Sequence, residues 1–442
     1  MSSPAVSLSV APVRGRLRGR LGPLVAAVVF VLAACGSNGP TAAPSTTPTP
    51  TAPRSPTASP AATPFVDPAT VYATIESQVI DIRGLRPKTT VVPQLLDDAG
   101  IKKYIADSFA RDNPPAVLDA NQRMLKAFGL LPPDASLSDL YVKLLGSQVA
   151  GLYSPTDKKL YVVSRSGGLG PAQRTTFAHE FTHALQDQNF DLGSLKLDEI
   201  GHGDQSLGRL SLVEGDAVLS QSLWQIQNLT QADLGQLLAE AAGDPGTKIL
   251  LDAPPILRES LLFPYTSGLS FVQGLQGSGG WDAVNAAFRK PPASTEQILH
   301  PDKYTSGEAP IAVTLPQDLA TQLGSGWRLT SADTNGEFQL AVWLRTNHAI
   351  DAATAQAAAA GWGGDRMDLV DGPNGSWAVI LRTVWDTGAD AAEFESAATA
   401  LVDGLASPAS LLPGAGGPER WVVIGSDEAT LNRVAGVLGL AG

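Results

Sequence analysis

Hydrophobic and polar positions divide the chain into regimes of different period. An unbroken apolar run covers 21–34. From Gly36 to about Pro64 the residues are Pro, Thr, Ser and Ala with hardly a large side chain. Such a stretch cannot bury enough surface to fold and reads as an extended tether. From Phe65 onward apolar residues recur at helical spacing, predicting helices over 68–79, 95–110, 115–128 and 137–145. A short β-branched run at 89–92 separates the first two, and Leu130-Leu131-Pro132-Pro133 stops the third. The period then changes. Runs at 148–153 and 159–164 are apolar and β-rich around Ser154-Pro155-Thr156-Asp157-Lys158, which predicts a hairpin. Gly168, Gly170 and Pro171 mark a loop, with Pro171 placed to open a long helix. Residues 191–208 are polar and Gly-rich and predict a loop on the cleft side. A second long helix over 207–223 is apolar nearly all round, so it belongs at the centre of a core.

Beyond about Ile311 the character shifts again. Residues 365–370 and Trp377–Trp385 flank Asp371-Gly372-Pro373-Asn374-Gly375, a strong hairpin pattern. A helix over 389–405 places Phe394, Ala398, Leu401, Val402 and Leu405 on one stripe. A strand at 421–425 and a closing helix at 427–438, with Leu431, Val434 and Leu438 inward, complete a small α+β domain. Six of the eight Trp fall here: Trp327, Trp343, Trp362, Trp377, Trp385 and Trp421. Such aromatics form cores more often than ligand platforms. The expected organisation is a leader at 1–34, a tether at 35–66, a larger domain at 67–310 and the C-terminal α+β domain at 311–442.

The chemistry lies in the first long helix. Phe177-Ala178-His179-Glu180-Phe181-Thr182-His183-Ala184-Leu185-Gln186 contains H-E-x-x-H, by which one helix offers two imidazoles to a zinc ion. Side chains four residues apart lie about 40° apart round a helix and roughly 6 Å along it, so both reach one metal. Glu180 sits one step further round, near a water on the metal without being a ligand. Phe177, Phe181, Ala184 and Leu185 occupy the opposite side, so one face is expected in a core and the His face in a cleft.

Two His alone make a poor zinc site; three protein ligands with one open position is the catalytic arrangement. In the second long helix Leu207, Leu210, Ala217 and Val218 surround Glu214. A carboxylate among apolar neighbours costs several kcal/mol unless it is paired or binds metal. Glu214 is therefore the expected third ligand, with a salt-bridged structural role as the alternative. His202, in Gly201-His202-Gly203, is a less firmly placed competitor. A metzincin would need Gly at Gln186 and His at Asn189, and this chain has neither.

Charge and the N-terminus set the location. The formal charge is −12, and the only charged residues before Cys35 are Arg14, Arg16, Arg18 and Arg20, without which it becomes −16. That acidity argues against nucleic acid or anionic lipid as the main partner. The run at 21–34 is too short and Ala-rich for a comfortable membrane span. It ends in Leu32-Ala33-Ala34-Cys35, which resembles a bacterial lipoprotein signal with its lipobox. That resemblance implies cleavage before Cys35, the only cysteine, and a diacylglycerol on its thiol. The body is then expected outside the cytoplasm, anchored to the membrane and without a disulfide.

The pattern H-E-F-T-H-A-L-Q-D-Q followed by Leu212-Val213-Glu214-Gly215-Asp216-Ala217 resembles the gluzincins. These are zinc peptidases whose third ligand is a Glu on a later helix. More narrowly, the chain resembles bacterial lipoproteins of that kind, over roughly residues 68–310. The stretches 146–163, Pro264-Tyr265-x-x-Gly268-x-x-Phe271-Val272, Gly279-Gly280-Trp281 and 294–304 add to the likeness. The resemblance implies a zincin-like metallopeptidase domain, mostly helical with a small sheet, holding one zinc ion per chain through His179, His183 and Glu214. It implies Glu180 as general base, and an edge strand of the hairpin pairing with extended substrate. Tyr265 and His300 are the candidates for a donor to the developing oxyanion. Relatives of the thermolysin kind place an Asp four residues after the ligand Glu to orient a zinc His; here that position is Val218. Asp216 and Asp187 are the remaining candidates. Asp216 points away on an ideal helix, whereas Asp187 continues the His row by one turn.

The expected function is hydrolysis of peptide bonds in a peptide or protein substrate. Two other readings stay open: a non-catalytic binding lipoprotein on a zincin scaffold, and a C-terminal partner-binding module whose peptidase only processes its own chain.

Overall fold

A computed structural model of the chain describes residues 67–148, 151–163, 169–346 and 350–440. The leader at 1–34, Cys35 and the tether to residue 66 lie outside the described residues. The described chain is α+β, with sixteen α-helices and two small sheets among those residues.

Helix α1 (Pro68–Arg83) starts with Asp67 accepting from the Ala69 N–H and stops at Gly84, in the left-handed region at φ 73°. Strand β1 (Gln94–Leu96) and helices α2 (Asp98–Asp112), α3 (Pro115–Ala127) and α4 (Leu137–Gln148) follow. The predicted hairpin is present as β2 (Gly151–Ser154) and β3 (Lys159–Val163), antiparallel with Tyr153 opposite Leu160. Strand β1 adds to β3 in parallel, giving the order β1-β3-β2. No part of the β-branched 89–92 run joins the sheet; pairing starts two residues later.

Helix α5 (Pro171–Phe190) carries H-E-x-x-H, and α6 (Gly203–Asn228) carries Glu214. The predicted loop at 191–208 is shorter than expected. Leu192–Leu195 form a 3-10 turn with Leu192 and Leu195 buried, and α6 begins at Gly203. The polar first turn of α6 hid that start from its hydrophobic pattern. Helices α7 (Gln231–Gly243) and α8 (Pro245–Leu251) lead to α9 (Pro255–Arg289), which breaks at Gly279 and Gly280. Short helices α10 (Thr295–Leu299) and α11 (Pro301–Ser306) close this part.

After α12 (Leu319–Leu323) come β4 (Arg328–Asp333), α13 (Gly336–Leu344), α14 (Ala352–Ala359), β5 (Trp362–Asp371) and β6 (Trp377–Trp385). Then α15 (Gly388–Asp403), β7 (Ala409–Pro413), β8 (Glu419–Gly425) and α16 (Glu428–Val437) complete the chain. The five strands form one antiparallel sheet in the order β4-β5-β6-β8-β7. Five of its six Trp are buried and Trp377 is half-buried, so they serve as core. This core also takes in α3. Ala120, Met124, Ala127 and Phe128 pack with Trp343 and Phe394, and the Trp343 indole N–H donates to the Phe128 carbonyl at 3.1 Å. The described residues contain no helix long and apolar enough to cross a membrane.

Candidate metal centre

Among the described residues, helix α5 is buried from Thr175 to Asp187, on its His face as well as its apolar face. His179 and Glu214 are 1 % exposed, and Glu180 and His183 are 0 % exposed. Hydrophobic periodicity predicts one inward face; α1 packs on that face, with Tyr72 against Phe177, while α6 and β2 also pack against α5.

Three lone-pair atoms converge between α5 and α6. His179 Nε2 and His183 Nε2 are 3.0 Å apart, and Glu214 Oε2 lies 3.3 Å from the first and 3.4 Å from the second. A tetrahedral zinc with bonds of about 2.0–2.1 Å has ligand–ligand edges of roughly 3.3 Å. Glu214 Oε2 is buried and accepts no hydrogen bond. An orphaned carboxylate oxygen within 3.4 Å of two ring nitrogens is a costly arrangement for an empty protein interior and a suitable one for a divalent cation. The donor set therefore fits zinc.

The electrostatics follow from the same triangle. Burial would raise the Glu214 carboxyl, but the charge of His183 and contact with both imidazoles outweigh it and hold the pKa low. Burial would lower His183, but the Glu214 carboxylate outweighs it and holds the imidazole up. His179 is pushed down, chiefly by burial.

Close backbone contact builds the site. A Cβ on Gly215 would lie 2.2 Å from the Gly268 carbonyl oxygen, and one on Gly268 would lie 2.2 Å from the Ser211 oxygen. Helices α6 and α9 thus touch backbone to backbone, one residue from Glu214. One turn before Gly268, the Tyr265 ring faces His179 with centroids 6.4 Å apart. Burial first, then the Glu214 and Glu180 carboxylates, push its phenol well above the usual range, so it remains a donor. On the other side β2 lies directly on α5, where the Tyr153 N–H donates to Glu180 Oε2 at 2.6 Å.

A second layer fixes His183. Gln186 Nε2 donates to the Val213 carbonyl at 3.0 Å and to Asp216 Oδ2 at 2.8 Å. Its amide nitrogen being committed, Gln186 turns Oε1 toward His183 Nδ1 at 2.8 Å. The Nδ1 proton donates there, which leaves the Nε2 lone pair for the triangle. Asp216 Oδ1 accepts from Arg83 Nε at 2.6 Å, and the guanidinium lies 4.5 Å over Trp281. Gln221 approaches His179, yet Nδ1 of that ring makes no full hydrogen bond. Asp216 therefore reaches His183 through Gln186, despite pointing away on an ideal helix. Asp187 does not. It accepts from the Tyr153 hydroxyl at 2.7 Å, from Lys158 Nζ at 2.7 Å and from the Leu192 N–H at 3.1 Å, tying the end of α5 to the hairpin. Gln186 stands at helical spacing from His183 and was findable by that spacing. Arg83, 133 positions before Asp216, carried no sequence signal.

His300 is not brought to this centre. Its Nε2 pairs with Glu337 Oε1 at 2.9 Å, at the corner between α10 and α11. His202 is exposed at the start of α6. A second acidic group, Glu296, Glu308 and Asp386, surrounds Lys303 Nζ at 2.6, 2.9 and 2.7 Å, so an ammonium already fills it.

Residues 326–434 match the family described as Domain of unknown function (DUF8575). That match lies within the C-terminal sheet unit and includes none of His179, Glu180, His183 or Glu214. No curated protein and no solved structure matches the chain.

Proposed function

We propose that the chain is a zinc metallopeptidase of the gluzincin type, built on a zincin-like helical domain and acting on peptide or protein substrates. The observation that carries this reading is the triangle of His179, His183 and Glu214 with Glu180 beside it. A closed structural site needs its ligands but has no use for a further carboxylate one residue away. His179, His183 and Glu214 would hold one zinc ion. When bound, zinc supplies Lewis acidity, which makes a water acidic near neutral pH and polarises a peptide carbonyl.

Glu180 takes the proton of the attacking water and returns it to the leaving amine. The Tyr153 N–H holds one oxygen of that carboxylate in place. Tyr265, protonated across the neutral range, donates to the oxygen that gains charge. Gln186, backed by Asp216 and Arg83, keeps His183 in the tautomer whose Nε2 faces the other ligands.

The location belongs to the same reading: a lipid on Cys35, a Pro-rich tether and an acidic body outside the cytoplasm, with no nucleic acid partner. Labelled palmitate should enter the wild-type chain and not Cys35→Ala.

The complete burial of the centre favours one other reading, a non-catalytic binding lipoprotein in which zinc serves the fold. Metal analysis combined with a peptide-library digest, with and without chelator, separates the two. The peptidase reading expects one zinc per chain and cleavage that chelator abolishes. One zinc with no cleavage of any peptide or denatured protein would support the binding reading instead.

A further inference from the structure

Strand β2 ends the sheet order β1-β3-β2, so its outer edge has no strand partner among the described residues. The strand rests on α5. A Cβ on Gly151 would lie 2.9 Å from Thr176 Cγ2 and 3.7 Å from Glu180 Cγ, so here the strand backbone meets the helix with no side chain of its own between them. One residue of the strand, Tyr153, bonds to α5 twice. Its N–H donates to Glu180 Oε2 at 2.6 Å, and its hydroxyl donates to Asp187 Oδ2 at 2.7 Å. Glu180 and Asp187 stand two turns apart on one face of the helix, roughly 10 Å along its axis.

Asp187 is itself held from several sides. It is buried, and it accepts from Lys158 Nζ at 2.9 Å on Oδ1 and 2.7 Å on Oδ2, and from the Leu192 N–H at 3.1 Å. Lys158 belongs to the turn between β2 and β3, in the left-handed region at φ 54°, so the hairpin that carries Tyr153 also carries the ammonium. A strand bonded to a helix at one point is free to swivel there; bonded at two points it is not. The Tyr153 N–H is one of those points, so the other fixes where that N–H meets Glu180. Misplacing a reacting group by about 1 Å can cost about 100-fold in rate.

We propose that Asp187 is a positioning residue for Glu180, acting through Tyr153, with Lys158 holding Asp187 in place. The inference rests on the reading of Glu180 as general base and adds to it what aligns that base.

Amide exchange, hydrolysis and zinc affinity, all read on the full chain, test it. Tyr153→Phe removes only a hydroxyl and leaves Asp187 paired with Lys158 and the Leu192 N–H. It should speed hydrogen exchange of the residue-153 N–H at least about tenfold, because the bond to Glu180 loosens. It should lower kcat at least about tenfold and change zinc affinity less than about twofold. Placed in Glu180→Gln, the same change should lower the rate no further, since both act on one step. Asp187→Asn can still accept from the phenol and should keep kcat within about threefold of wild type, whereas Asp187→Leu should match Tyr153→Phe. The proposal is overturned if Tyr153→Phe exchanges at the wild-type rate, if its loss multiplies with that of Glu180→Gln, or if zinc affinity falls in step with kcat, as a contact that only holds the fold would give. If the wild-type chain hydrolyses no peptide, the general-base reading fails, and exchange at Tyr153 still decides whether Asp187 aligns Glu180. Should Tyr153→Phe fail to fold by circular dichroism, Asp187→Asn and Asp187→Leu make the same comparison, and equal exchange and equal kcat in those two overturn the proposal.

Discussion

Gln186 decides which nitrogen of His183 is available, and it does so because its own amide is held on the far side by Asp216 and Val213. Removing such an outer partner typically costs 10–100-fold in metal affinity. Gln186→Leu should therefore weaken zinc binding by about that factor, read by competition with a chromogenic chelator. Asp187→Asn, although in the same helix, should change affinity less than about twofold, because Asp187 is spent on Tyr153 and Lys158. Tyr265→Phe removes only a hydroxyl. It should keep the metal and lower the hydrolysis rate by about 100–1,000-fold, the usual cost of one oxyanion donor. At this scale the sequence was most readable where chemistry dictates residue type at short spacing. His179, Glu180 and His183 announce themselves, and Glu214 is marked by its apolar surroundings. His300 was not readable, because the partner that occupies it, Glu337, lies 37 positions away.

The elements meet where side chains are missing. At the α6–α9 crossing Gly215 and Gly268 leave no room for a methyl group, since the added carbon would sit 2.2 Å from a carbonyl oxygen. Either Gly→Ala change forces the helices apart. Overpacking of this kind costs about 1–3 kcal/mol or more, and here it also shifts Tyr265 relative to Glu214. Gly268→Ala should thus lower Tm and weaken zinc retention together. Gly235→Ala in α7, with open space around it, should leave zinc retention intact and stabilise slightly by about 0.5–1 kcal/mol through helix propensity. The identity of most elements was legible from period and punctuation; the β5–β6 hairpin around Asp371-Gly372-Pro373-Asn374-Gly375 is an example. Limits were less so. Helix α6 starts with Gly203, Asp204, Gln205 and Ser206, a turn with no apolar period, and it is secured by Asp333 accepting from the Gly203 N–H at 2.7 Å. No local pattern carries a cap supplied from 130 positions away.

At the scale of the whole chain, the C-terminal sheet unit and the helical part share their interior. Helix α3 lies in the core of the sheet unit, and the β4–α13 turn caps the helix that bears Glu214. A chain ending at residue 310 would expose the apolar face of α3 and uncap α6. It should fail to give a cooperative melt or a monomeric elution peak, whereas the full chain should give both.

The junction is also sensitive to pH. Asp204 is buried there, accepting from the Thr295 N–H at 3.0 Å, and burial raises its pKa to about 7. An unfolded Asp ionises near 3.9, so between about 4 and 7 the folded chain holds a proton that the unfolded chain lacks. Stability from this group is therefore greatest at the acid end, falls as pH rises through that window, and is flat above it. Asp204→Asn should shrink the fall in Tm between pH 5.5 and pH 8.

The central claim is that Glu180 is a catalytic base beside a zinc held by other residues. Its most direct test is the peptide-hydrolysis rate of Glu180→Gln with its zinc content measured in the same sample. The account predicts about one zinc per chain and a rate lowered by about 100–10,000-fold, as expected for loss of a general base. Hydrolysis at the wild-type rate with zinc in place would contradict it.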